Sequence, residues 1–355
     1  MTRRNILKVI QRTPMWVFLW GFLSCVQACT QESPITNPRQ AEIEPAEVGS
    51  FAKGADVSWL TQLESEGYSF TNKQGVATEC MQLLKEDCGV NAIRLRVWVN
   101  PVDGWSNVND VLAKARRANA LGLRLMIDFH FSDTWADPGQ QAIPAVWADY
   151  LLSEAKQAVA AHVTEMLSLL KQFDITPEWV QIGNESRTGM MWPLGKIADN
   201  ANYAELTNAG YDAVKAIFPD SKVIVHIDSG DNLGLYTYVF DYLKAHGGKY
   251  DMIGMSLYPS ADNWQQIVNS CVSNISSLYQ TYQKPVMVCE IGMDYDLAAI
   301  CRQAITSLME KGQATSHLEG IFYWEPEAPA GYNGGYNKGC FDGGTPTEAL
   351  DAFLD

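Results

Sequence analysis

Two acidic residues stand where a buried strand gives way to a loop, and they define the chemistry to consider. The stretch Trp179-Val180-Gln181-Ile182-Gly183-Asn184-Glu185 runs from a short apolar segment into a polar tip. The stretch Pro285-Val286-Met287-Val288-Cys289-Glu290-Ile291-Gly292 does the same, with Glu290 placed 105 residues after Glu185. An amide beside an acid suits a site that holds a sugar hydroxyl while a proton moves. If the two carboxyls face each other they can break a glycosidic bond. One, kept protonated by its surroundings, donates to the leaving oxygen. The other, ionised, attacks the anomeric carbon and forms a glycosyl-enzyme intermediate. Retention of configuration needs the carboxyls about 5 Å apart, and inversion needs several Å more so that water fits between them. The plainer reading makes either glutamate a structural acid, paired for instance with Arg94 or Arg96.

Such residues must be carried by a scaffold, and the pattern of apolar segments supplies one. Strands are predicted at Gly54–Val57, Ala92–Val99, Leu123–Phe131, Trp179–Gly183, Val223–Ile227, Met252–Leu257, Val286–Glu290 and Gly320–Trp324. Helical stretches fall near residues 75–88, 107–121, 148–173, 201–218, 232–246, 262–281, 296–311 and 346–354. Val159, Val163, Met166, Leu167 and Leu170 show the apolar spacing of a helix face. Eight strands alternating with eight helices argue for an α/β protein built as a single (β/α)8 TIM barrel. An open doubly wound sheet is the alternative, but no glycine-rich phosphate loop follows the first strand.

In a barrel, functional residues sit at the C-terminal strand ends. Those ends carry Asp56, Arg94 or Arg96 with Trp98, Asp128 with His130, Asn184-Glu185, His226 with Asp228, Tyr258, Glu290, and Trp324 with Glu325. The connection from Ser132 to about Ala148 is unusually long and holds Asp133, Trp135, Asp137, Pro138 and Trp147. Long loops after barrel strands tend to carry function. Glu325 and Glu327 read as solvated loop acids, and His130 and His226 could equally be satisfied core histidines.

Four stretches carry a resemblance. They are Lys53-Gly54-Ala55-Asp56-Val57-Ser58, Ile93-Arg94-Leu95-Arg96-Val97-Trp98, Asp128-Phe129-His130-Phe131-Ser132-Asp133-Thr134-Trp135-Ala136-Asp137-Pro138, and Gly183-Asn184-Glu185 through Trp192-Pro193. Together they resemble the glycoside hydrolase family 53 endo-β-1,4-galactanases, within the clan of retaining (β/α)8 glycosidases. The resemblance implies that Glu185 is the acid/base and Glu290 the nucleophile. It implies that Asn184 holds the 2-hydroxyl, and that Arg96 and Tyr258 set the charge and position of Glu290. His130 and His226 would line the sugar pocket, with Trp324 as its platform and Trp98, Asp133 and Trp135 as further substrate contacts. Galactan side chains of pectin would be the substrate, with no cofactor and no metal. Family members often carry an aromatic-Pro pair after the nucleophile, where this chain has Met293-Asp294-Tyr295. Some bacterial members bind calcium there through an Asp-rich run with a His. That run is missing here, so no calcium is expected at that loop.

Composition narrows the partners. Residues 1–28 contain Arg3, Arg4, Lys8 and Arg12 and no acids, so the remainder has 22 basic against 41 acidic residues, a formal charge of −19. So acidic a surface argues against nucleic acid and anionic membrane and suits a neutral substrate. The basic residues precede an apolar run, Met15–Leu23, too short for a permanent membrane span. Val26, Ala28 and Cys29 then resemble a bacterial lipoprotein signal with Cys29 as the lipidated residue and Cys25 as the alternative. The expected organisation is a signal over 1–28, a flexible tether over 29–50 and a catalytic domain over 51–355, exported to the cell envelope and held to membrane only by the lipid. A monomer is expected. The six cysteines of the body, Cys80, Cys88, Cys271, Cys289, Cys301 and Cys340, match no zinc spacing and could oxidise in an exported protein. Cys289 reads as a buried free thiol. Two rival functions stay open: a clan hydrolase acting on mannan, glucan or xylan, and a non-catalytic glycan-binding lipoprotein.

Overall fold

The computed structural model describes residues 46–354. Eight parallel strands close into a barrel: β1 Ala52–Asp56, β2 Ala92–Val97, β3 Arg124–Phe129, β4 Trp179–Ile182, β5 Lys222–Ile227, β6 Met252–Leu257, β7 Val286–Ile291 and β8 Leu318–Trp324. Each strand pairs with its sequence neighbours, and β1 closes on β8. The helices are α1 Leu60–Ser65, α2 Cys80–Cys88, α3 Val108–Ala120, α4 Leu152–Gln172, α5 Asn202–Ile217, α6 Leu233–Ala245, α7 Trp264–Tyr282 and α8 Ala298–Ala314. All eight predicted strands are present, with ends shifted by at most two residues.

The alternation of side chains along the strands builds the site. Outward residues such as Ile93, Leu95, Ile127, Val180 and Val225 are fully buried under the helices. Inward residues form stacked layers. The lower is apolar: Ala52, Ala92, Met126, Trp179, Ile224, Met252, Met287, Cys289 and Phe322 fill the barrel. Two residues further along the same strands come Arg94, Asp128, Gln181 and His226, so the polar layer rests on a packed plug. Gly54 is needed in that plug, because a Cβ there would lie 2.2 Å from the Phe322 ring.

Three expectations change. The C-terminal helix expected over 346–354 is a 3-10 segment, Glu348–Phe353. Its buried Ala349, Leu350 and Phe353 join the core outside the barrel, and Lys53 Nζ donates to the Phe353 carbonyl. Residues 46–50, read as the end of the tether, are held to the barrel: the Ala46 amide donates to the Gly122 carbonyl, and Arg124 donates to the Ser50 carbonyl. The short helix α1, six residues long, was not expected. All six cysteines of the described residues are buried free thiols, Cys289 among them. The signal, Cys29, Cys25 and most of the tether lie outside the described residues.

Candidate active site

Arg94 organises the polar layer. Its guanidinium is buried and surrounded by five acceptor residues from four strands and their ends. Nη1 donates to Asp56 Oδ2 at 2.6 Å. Nη2 donates to Asp128 Oδ2 at 2.8 Å and to Asn184 Oδ1 at 3.0 Å, and it lies 3.0 Å from Glu290 Oε1. Nε reaches Gln181 Oε1 at 3.3 Å. Burial alone would weaken this charge, but Asp128, Glu290 and Asp56 together hold it firmly cationic. Burial also works against Asp128, yet Arg94 and His130 keep that carboxylate below its ordinary range.

Glu290 receives two anchors. Besides Arg94, Tyr258 donates its hydroxyl to Glu290 Oε2 at 2.7 Å. Tyr258 is thus joined to Glu290, and the arginine on Glu290 is Arg94 and not Arg96. Both point inward from β2, two residues apart, and Arg96 lies one layer higher. It pairs with Glu325 at 2.7 Å. Three indoles surround its guanidinium, Trp135, Trp98 and Trp59, at 4.3, 5.0 and 5.3 Å from the ring centroids. Glu325 is thus a fully buried counter-ion, not a solvated loop acid, and Glu327 is buried as well.

Glu185 follows the left-handed Gly183 and is itself left-handed, with φ of 83° and 43°. A glutamate in that conformation is held there by its surroundings at some cost. Its Oε1 accepts from Ser256 Oγ at 2.6 Å. Ser256 is also the β6 residue in register with Glu290 on β7. The two carboxyls therefore flank one serine. Burial pushes Glu185 up to about 8, and the nearby Glu290 pushes in the same direction. Burial pushes Glu290 up to about 7, but Arg94 and Tyr258 oppose that rise. Two such carboxyls cannot both ionise easily. The first proton belongs on Glu185, which lacks the direct contact to Arg94. One acid and one anion result.

The remaining expectations divide. Asn184 Nδ2 donates to the Ala136 carbonyl at 2.8 Å, so its Oδ1 faces Arg94. His130 lines the cleft. Its Nδ1 accepts from Trp98 Nε1 at 3.1 Å, which leaves Nε2 to donate to Asp128 Oδ2 at 2.9 Å. Trp324 and Trp135 also line the cleft, whose volume is about 370 Å³. Trp98 stands behind Trp135, lining an adjoining groove. One residue departs from the expectation. His226 is fully buried and does not reach the cleft, because it lies under Asn184 and Glu185 in contact with Gln181 and Ser256. Asp133 holds the long loop, accepting from the amides of Asn100 and Ala145, and faces the adjoining groove.

The cleft also contains residues outside the sequence-based set: Trp59, Asn333, Tyr336 and Lys338. Tyr336 donates to the Trp324 carbonyl, and Lys338 pairs with Asp294 at 2.7 Å, tying the loops after β7 and β8 together. They come from irregular segments, where no periodicity marks a residue. Gln181 and Ser256 were missed differently. Strand alternation from Trp179 and from Gly254 would have put both inside the barrel. Among the described residues no group of His, Cys, Asp or Glu forms a metal site.

This arrangement can protonate one atom while attacking another. Comparison with known proteins identifies the family. Residues 52–300 match glycosyl hydrolase family 53. A probable arabinogalactan endo-beta-1,4-galactanase A of Aspergillus terreus is 31% identical over 82% of this chain and 89% of its own. The arabinogalactan endo-beta-1,4-galactanase A of Emericella nidulans is 32% identical over 82% and 88%. A solved fungal beta-1,4-galactanase superposes with a TM-score of 0.78 and 29% identity, covering 85% of this chain and 98% of that one. The chain belongs to glycosyl hydrolase family 53.

Proposed function

We propose that this family 53 member is an arabinogalactan endo-β-1,4-galactanase that cleaves β-1,4-galactan by a retaining double displacement. The observation that carries the mechanism is the asymmetric pair of carboxyls. Glu290 is the nucleophile: Arg94 and Tyr258 keep it ionised and aim it. Glu185 is the acid/base: burial and the charge of Glu290 keep it protonated. In the first step Glu290 attacks the anomeric carbon while Glu185 gives its proton to the departing oxygen. In the second, Glu185 takes a proton from water, which displaces Glu290. Arg94 stabilises charge on Glu290 as it departs. In this reading Asn184, held by Ala136 and Arg94, meets the 2-hydroxyl, and Trp324 gives the ring an apolar face.

The named relatives are galactanases, and that supports galactan over other polymers. Glu290→Ala tests the mechanism: galactan cleavage should fall by about three orders of magnitude or more, as when a nucleophile is deleted elsewhere. Near wild-type cleavage by that variant would refute it. The N-terminal segment is proposed to deliver the enzyme to the cell envelope as a monomer lipidated at Cys29. Its support is the basic cluster, the apolar run and the Val26-Gln27-Ala28-Cys29 box.

A further inference from the structure

We infer that Ser256, oriented by His226, is a positioning residue that fixes which oxygen of Glu185 carries the catalytic proton. The inference rests on the acid/base assignment just made. Ser256 Oγ lies 2.6 Å from Glu185 Oε1 and 2.8 Å from His226 Nε2. Ionised Glu185 only accepts, neutral Glu185 keeps one bare oxygen that accepts, and a serine has one hydrogen to give. Ser256 donates to Oε1, which is then the bare oxygen of the neutral acid. The hydrogen between His226 and Ser256 must then come from His226 Nε2.

The remainder of the layer agrees with that polarity. With Nε2 protonated, Nδ1 of the neutral ring is an acceptor. Gln181 Nε2 lies 2.9 Å from it, 3.0 Å from Asn184 Oδ1 and 3.2 Å from the Gly183 carbonyl; Asn184 Oδ1 is itself 3.0 Å from Nδ1 but already accepts from Arg94, so Nδ1 takes a Gln181 hydrogen. The amide cannot be reversed, because Gln181 Oε1 faces Arg94 Nε and Nη2 at 3.3 and 3.2 Å. His226 carries a single hydrogen: burial and the neighbouring Arg94 keep the ring well below its ordinary protonation range. The donors thus run in one direction, from Arg94 to Gln181, His226, Ser256 and Glu185. One arginine holds the nucleophile directly and turns the acid through three intermediaries.

The consequence is chemical. With Oε1 committed to Ser256, the proton of the neutral acid sits on Oε2. As the glycosidic C–O bond breaks, its electron pair stays on the leaving oxygen and takes the Oε2 proton. The Ser256 hydrogen stays on Ser256. The charged groups that bear on Glu185 are Glu290 on β7, Arg94 on β2 and Asp137 in the loop after β3.

The test uses two substrates with Ser256→Ala, Ser256→Thr and Glu185→Gln in the full chain. One is linear β-1,4-galactan. The other is a 2,4-dinitrophenyl β-1,4-galactobioside, whose leaving group needs no proton. For Ser256→Ala, kcat/KM on galactan should fall roughly ten- to a hundredfold, the range for a lost hydrogen bond to a charged group. On the activated galactobioside it should stay near wild type. The alkaline limb on galactan should move to higher pH, because the lost donor favoured ionised Glu185. Ser256→Thr, which keeps a hydroxyl, should recover most of the galactan rate. Equal loss on both substrates, or no loss on galactan, would overturn the inference. If Glu185→Gln loses both substrates equally, or neither, the acid assignment itself has failed, whatever Ser256 does.

Discussion

At the scale of single residues, the site works by making two chemically identical side chains different. Both glutamates are buried, and burial favours the neutral form of each. The difference is the company they keep. Glu290 has a guanidinium at 3.0 Å and a phenol at 2.7 Å, while Glu185 has one serine hydroxyl. Rate should therefore rise with pH as the pair loses its first proton, mainly from Glu290. It should fall as Glu185 loses the second near pH 8. These two values belong to the pair, not to either residue alone. Replacing Glu290 by Gln removes the neighbouring negative charge, so Glu185 should then titrate below about 8. Carbon-detected titration of labelled glutamate measures this directly, and an unmoved Glu185 would show that the two carboxyls do not interact. Both glutamates and Asn184 were legible in the sequence because each ends an apolar strand. Arg94 and Arg96 were confused because both point inward from one strand, and only their height in the barrel separates their roles.

At the scale of elements, the end of β8 holds what sequence reading got most wrong. Glu325 and Glu327 follow the strand in a polar-looking run that reads as solvated acids. The indoles of Trp59, Trp98 and Trp135 around Arg96 close that region, and Glu325 becomes the buried partner of Arg96. Glu327 makes no hydrogen bond through either carboxyl oxygen. Burial first, and Glu325 next, push it well above the ordinary carboxyl range. A carboxyl raised on folding lends stability below its unfolded value, near pH 4.3, and that contribution is lost as pH rises toward its folded value. The slope is about 1.4 kcal/mol per pH unit for one group. Glu327→Gln should remove it, so the variant should gain on wild type in melting temperature as pH rises from 5 to 8. Parallel melting curves for the two proteins would show that Glu327 is ionised or solvated after all. Strands are legible to within two residues at each end because their apolar runs are continuous. Segments such as 325–340 are not, because their burial depends on aromatic residues brought from distant loops.

At the scale of the whole molecule, the barrel separates stability from chemistry. An apolar plug lies below, a polar layer rests on it, and the cleft opens at the strand ends. That plan followed from the count and alternation of elements. The depth of each polar residue did not, and His226 shows why: a strand-end histidine can lie one layer beneath the substrate. The N-terminal segment makes a separate prediction. Cells fed labelled palmitate should label the protein, and Cys29→Ser should abolish the label while Cys25→Ser leaves it. Loss of label with Cys25→Ser alone would reassign the lipidated residue. The central claim, that this barrel is a galactanase run by Glu185 and Glu290, is tested most directly by following product release from linear β-1,4-galactan, with mannan, xylan and β-glucan as controls and Glu185→Gln and Glu290→Gln alongside. The account predicts short galacto-oligosaccharides from wild type, little from the control polymers, and almost none from either variant. Faster cleavage of another polymer, or galactan cleavage that survives loss of either glutamate, would contradict it.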